Sequence, residues 1–386
     1  MEAPHASAGR FYRPELDVVR FLAFFLVFLH HTLPSAGDPR AIRLLKGFAP
    51  AFASLPDACG FGLSLFFTLS AFLICELLLR ERKTAGTIKI KQFYIRRILR
   101  IWPLYYLGLL LGLLVMFLPG GHPDEIDSIG CFAVFMSSWR LATFHAFSNP
   151  ANVLWSISVE EQFYLFAPWV VKFLNRKFLY GFCAALILSA NTWLYFLGRE
   201  SAVDHCIWWN SFVQFECFAG GILLCLVLRG RVPRLAPWQR LALFAFSLCC
   251  LFYACYGLHA RFGKAGVWNP GSWCLIRGYG LAALSCVLLL VAFLGVDPRH
   301  LPKWAIYLGR ISFGLYVYHG FAIYASYAVF GHRVSLSSPV YYLKAALAGG
   351  LTVLMAAFSY RYFETPFLKM KKRHAVIESQ PIEGSS

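Results

Sequence analysis

An apolar run opened by Arg20 closes on two adjacent histidines, His30 and His31. Histidine is the side chain suited to taking a proton near neutral pH. An ionisable group at membrane depth is costly, so it usually faces the protein interior and serves a function there. Residues 21–29 are all Phe, Leu, Val or Ala, too long and uniform for an ordinary strand. In a helix, Arg20 and His31 would lie ~16 Å apart along the axis. Asp17 and Arg20 stand i,i+3 and can pair on one face. The alternative reading is that Arg20 snorkels inward while the histidines mark the outer interface.

A second cluster, NVLWSISVEEQFYLF, puts Glu160 beside Glu161 in an apolar run. Two adjacent buried carboxylates cannot both ionise cheaply. Their directions on a helix differ by about 100°, so one can face a polar interior and the other a neighbouring helix or the interface. A carboxylate that orients a histidine recurs in acyl-transfer chemistry; a structural ion pair, for example with Arg20, is the alternative. In QFYIRRILRIWPLYY, Arg96, Arg97 and Arg100 precede Trp102 and Pro103, with Pro103 near the start of a span. Inward-facing arginines can grip phosphates with bidentate geometry, and the same run also acts as a topogenic charge block. ISFGLYVYHGF places Ser312, Tyr316 and His319 at i,i+4 and i,i+3 spacing, so all three can line one face. Arg361 and Glu364 in YRYFETPF read as helix termination with an ion pair, and Gln214 and Glu216 are further polar-interior candidates. No HEXXH zinc signature, phosphate-binding glycine-lysine loop or GxGxxG fingerprint occurs, so no metal site is expected. Any phosphate must then be held by side chains and helix ends of the basic entrance.

Composition dictates the scaffold for these residues. The chain has 386 residues, 59% hydrophobic and 14% charged, with mean hydropathy +0.58; soluble domains are about a quarter charged. The net charge of +17 gathers at the ends of apolar segments, which signals membrane topology and argues against nucleic acid. The twelve cysteines include no CxxC pair, and those in apolar runs read as small hydrophobes. No apolar h-region precedes Asp17, so the first run is expected to be a retained span. The expected fold is all-α: a polytopic integral membrane protein of about ten transmembrane helices with both termini inside. Eight Lys or Arg between Arg80 and Arg100 anchor that loop in the cytoplasm. The spans are placed at 13–33, 61–79, 101–118, 152–174, 178–197, 210–228, 241–258, 273–294, 304–330 and 340–363. Residues 32–60 read as a surface loop with a short amphipathic stretch, and 129–147, broken by Arg140 and His145, as a re-entrant or interfacial helix. This assignment sets Glu160 in the outer half of an incoming span, level with His31. Residues 1–373 form a single membrane domain and 374–386 a polar, disordered tail.

Taken in order, the clusters resemble the membrane-bound acyltransferase family 3, which includes bacterial carbohydrate and exopolysaccharide O-acetyltransferases. The family's pattern of an arginine, ten residues and a histidine falls on Arg20 and His31, bypassing His30, and Asp17 also fits. GFGLSLFFTLSAFLI resembles its second-span motif, with Ala71 where glycine is usual. FYIRRILRIWPLYY, WSISVEEQFYLF, ISFGLYVYHGF and YRYFETPF resemble its later motifs, so the likeness spans residues 11–368. It implies an acyl-CoA donor, most commonly acetyl-CoA, used as substrate and not as a resident cofactor. Arg20, Arg96, Arg97 and Arg100 would receive it. His31, assisted by Glu160, would deprotonate a hydroxyl of a carbohydrate or glycolipid acceptor in the bacterial inner membrane; an acyl-His31 intermediate is less favoured. With no hydrolase-like domain after the last span, the stand-alone form is expected. Beside this reading stand a secondary transporter for a lipid-linked sugar and a structural component of a polysaccharide assembly. Neither accounts for His31 and Glu160 at one depth.

Overall fold

Lipid leaves an apolar run no partner for its backbone polar groups, so a spanning segment of this length must be helical. Among the described residues every regular element is a helix. The computed structural model describes residues 11–34, 49–118, 121–144, 149–199, 207–260, 271–331 and 338–377. The stretch 35–48, His145 and the tail 378–386 lie outside the described residues.

The chain opens with α1 (Pro14–Thr32), α2 (Ala49–Gly60), α3 (Gly62–Ala85) and α4 (Ile90–Met116). Two short helices follow, α5 (Ile126–Ala133) and α6 (Ser137–Thr143), then α7 (Trp155–Phe173), α8 (Arg176–Arg199), α9 (Ser211–Leu228), α10 (Pro237–Tyr256) and α11 (Ser272–Phe293). The last group is α12 (Lys303–Arg310), α13 (Ser312–Phe330), α14 (Pro339–Ser359) and α15 (Thr365–Lys372). Seven helical stretches among the described residues are long and apolar enough to cross a membrane, and the chain is a multi-pass membrane protein. Three of the ten expected spans, α1, α7 and α13, are 19-residue helices outside that set. They are the helices that carry His31, Glu160 and His319.

Four segments depart from the sequence expectation, each for a local reason. Helix α4 begins at Ile90, well before the expected span, so the three arginines ride on the helix and Pro103 lies inside it. Where a single helix was expected over 129–147, the described residues form two helices of eight and seven residues, α5 and α6, with Phe135 between them at φ of 57°. Its ring stacks on Tyr105 at 4.7 Å, and the Tyr105 hydroxyl donates to the Phe132 carbonyl at 2.6 Å. Helix α14 does not end at Arg361 and Glu364. It widens into a π-turn over Tyr360–Glu364 and continues as α15. Pro366 lacks an N–H, so a widened turn just ahead of it removes the usual clash; the Thr365 hydroxyl donates to the Tyr360 carbonyl at 2.6 Å. Residues 374–377 fold back on α4, where Arg96 donates to the His374 carbonyl at 2.9 Å.

The fourth departure is the one that positions the site. Ahead of α7, Pro150–Leu154 forms a 3₁₀ turn whose Ala151 and Leu154 are fully buried. It inserts between α4 and α13, and a Cβ at Gly320 would stand 2.4 Å from the Pro150 carbonyl oxygen. The chain is therefore already inside the bundle when α7 begins.

Candidate active site

At the Asp17 end of α1 a cavity of about 390 Å³ opens among α1, α3, α4, α7, α13 and α15. Asp17 is buried and accepts hydrogen bonds from Arg20 and, at 2.9 Å, from the Tyr12 hydroxyl. Helix α12 fixes this end of α1. A Cβ at Gly309 would fall 1.8 Å from the Asp17 carbonyl oxygen, so only glycine lets the two backbones meet. Arg97 and Arg100, i,i+3 on α4, both line the cavity. The Arg97 guanidinium lies 5.3 Å from the Tyr164 ring centroid, and its buried Nε has no hydrogen-bond partner. Glu160 faces the hydroxyls of Ser70 and Tyr164 and the charges of Arg97 and Arg100. Those two hydroxyls are 2.5 Å apart.

From Glu160 a line of polar groups leads toward the other end of α1. One turn earlier on α7, the Ser156 hydroxyl meets the Tyr316 hydroxyl at 2.7 Å, and Tyr316 donates to the Val153 carbonyl at 2.7 Å. One turn along α13 from Tyr316, the His319 ring is fully buried. Its Nδ1 lies 2.5 Å from the Tyr316 carbonyl oxygen, which requires the proton on Nδ1 and leaves Nε2 an acceptor. That Nε2 is buried with no partner. The His31 ring centroid is 5.2 Å from that of His319 and 4.9 Å from that of His30. His31 is exposed, whereas His30 is tied by Nδ1 to the Pro56 carbonyl at 2.7 Å. The arrangement places an exposed imidazole beside a buried one that packs on the Tyr316 ring, whose hydroxyl meets Ser156 at the cation-lined chamber.

A family model described as an acyltransferase domain matches residues 13–361. The chain belongs to this acyltransferase family. It is 25% identical over 391 residues to the peptidoglycan O-acetyltransferase OatA of Listeria monocytogenes, covering 94% of this chain and 56% of that protein. It is 27% identical over 381 residues to the O-acetyltransferase OatA of Staphylococcus aureus, covering 93% of this chain and 57% of that one. The chain thus spans little more than half the length of these curated relatives. No solved structure matches it.

In this member of the acyltransferase family the expected residues divide into two groups. Asp17, Arg20, Arg97, Arg100, Glu160, Ser312 and Tyr316 line the cavity, while His31 and His319 meet beyond it. The expected pairing of His31 with Glu160 at one depth is not found, and no ion pair joins them among the described residues. Glu160 shares the chamber of Asp17, and the 14 residues from there to His31 amount to ~21 Å of helix. The buried 150–154 turn is the cause, because α7 starts deep and carries Glu160 past the histidines. Arg96 also differs from expectation. It points away from the cavity, paired with Glu81 at 3.0 Å. Glu161 accepts from the Trp102 indole at 3.2 Å, so the adjacent carboxylates face different helices. Arg361 and Glu364 form no ion pair; the Glu364 carboxylate accepts from Ser359 at 3.3 Å.

Sequence reasoning passed over Ser70, Ser156, Tyr164, Arg310 and the lysines of α15, all of which line the cavity. Ser70 was detectable as one of three hydroxyl residues, with Ser64 and Thr68, in an apolar run. The lysines fall beyond the last expected span and outside every motif singled out.

Proposed function

We propose that the chain transfers an acyl group, acetyl first among candidates, from acyl-CoA to a hydroxyl of a cell-surface carbohydrate. Peptidoglycan, named for the Listeria relative, is the first acceptor to test. One observation carries the reading: an otherwise apolar bundle holds polar groups in succession from a cation-lined cavity, through Glu160, Ser156 and Tyr316, to His319 and His31. The donor's phosphates are held by Arg97, Arg100 and Arg20, and its pantetheine arm carries the thioester along the path. His31 takes the acceptor hydroxyl's proton as the oxygen attacks the thioester carbonyl. The C–S bond breaks, and the leaving thiolate takes that proton from the imidazolium. Glu160 assists from the chamber wall, near the Tyr316 hydroxyl.

The topology that suits this chemistry has ten spans with both termini inside, as the basic segments favour. It sets the cavity on the cytoplasmic face of a bacterial inner membrane, where acyl-CoA is made, and His31 toward the outer face. Purified protein given radiolabelled acetyl-CoA and peptidoglycan fragments is expected to release CoA and label the glycan. No CoA release with any glycan acceptor would remove the reading. Cysteine labelling supplies a separate check: position 91 should react from the cytoplasmic side and position 124 from the outer side.

A further inference from the structure

We infer that α15 is a phosphate clamp: Lys371 closes on the phosphates of the donor opposite Arg97 and Arg100, an arrangement suited to a ligand bearing several phosphates. The inference rests on the donor reading above and extends it to a helix that had only a topological role.

The argument begins with charge. Lys371 lines the cavity in the electrostatic neighbourhood of Arg20, Arg96, Arg97 and Arg100. Among the described residues the carboxylates nearby are already engaged. Asp17 is held by Arg20 and Tyr12, and Glu81 by Arg96 and the Lys89 backbone N–H at 2.8 Å. Glu160 faces Arg97 and Arg100, and Glu364, which accepts from Ser359, also faces Arg100. The side chains of Lys371 and Arg100 form neither a hydrogen bond nor an ion pair among the described residues. Like charges brought together in a partly buried chamber destabilise the fold unless an anion joins them.

Geometry excludes an accident of a loose tail. The π-turn and Pro366 set the direction of α15, and the helix packs against α4. Lys369 and Lys372 flank Lys371 on the same cavity and are exposed, which places them at its mouth. Guanidiniums offer a rigid fork and an ammonium a point charge, a combination suited to a diphosphate with one further phosphate. An anionic lipid headgroup shares this chemistry, and the test separates the two.

The full chain in nanodiscs of neutral phosphatidylcholine is titrated with CoA, dephospho-CoA and pantetheine by calorimetry. Wild type is expected to bind them in that order of affinity. Lys371→Gln should weaken CoA roughly ten- to a hundredfold, the range for a charge-assisted hydrogen bond, and leave pantetheine unchanged. Lys371→Arg should restore most of the loss. The exposed Lys369→Gln, which leaves packing intact, should give a smaller loss in the same direction. If wild type and both glutamine variants bind CoA alike, the clamp is wrong and the donor reading stands. If wild type binds CoA no better than pantetheine, the donor reading falls and takes the clamp with it. Displacement of bound CoA by added phosphatidylglycerol in wild type but not in Lys371→Gln would assign the lysine to lipid and overturn the inference.

Discussion

At its Asp17 end, α1 meets arginines and lysines, buried carboxylates and a cavity; at its His31 end, its two histidines meet the His319 imidazole and, among the described residues, form no ion pair. Both ends are polar, but they are polar in different currencies. The first is a surplus of fixed positive charge, which suits holding an anion and has little use as a base. The second is a cluster of imidazoles, set ~16 Å of helix beyond Arg20, the nearest guanidinium on α1. Separating them keeps the base free of a field that would disfavour its imidazolium. Between them stand hydroxyls, Ser156 and Tyr316, which relay hydrogen bonds without adding charge.

Substitutions at the two ends should therefore fail in different ways. The largest effect is expected from His31→Ala, which removes the proposed base and should cost about two to four decades in kcat. Donor affinity, measured by CoA titration, should stay near wild type. An active His31→Ala would end the proton-transfer assignment. Next is Glu160→Gln. If its carboxylate acts along the path, kcat should fall by about tenfold or more. Freed from it, Arg97 and Arg100 should bind donor at least as tightly, so KM for acyl-CoA should not rise. An unchanged kcat would confine Glu160 to balancing the arginines.

The arginines sharpen the comparison within one helix. Arg100→Ala should raise KM for acyl-CoA with little change in kcat, the signature of lost uniform binding. Arg96→Ala should leave that KM alone and lower thermal stability instead, because it strands the buried Glu81 carboxylate. Identical kinetics for the two variants would mean that the cavity is not the donor site. The smallest effect belongs to His30→Ala, whose ring is held by the Pro56 carbonyl. A dead His30→Ala beside an active His31→Ala would exchange their roles.

Much of this was legible one helix at a time. Long apolar runs required helices, and the i,i+3 and i,i+4 spacings put Tyr316 and His319 on one face; the preference for His31 over His30 came only from the family resemblance. Local periodicity supplies such facts because a helix fixes the directions of its own side chains. The depth of one helix against another is different, since it depends on residues distant in sequence meeting at close range. Glu160 reached the cation chamber because Pro150–Leu154 fits against Gly320, and Arg96 left that chamber because Glu81 lay within reach. Lys371 entered it because a π-turn carried the last helix across α4. The same limit explains why α1, α7 and α13 look too polar to be spans when judged by composition. Their polar residues face one another inside the bundle, and only the assembled tertiary structure pairs them.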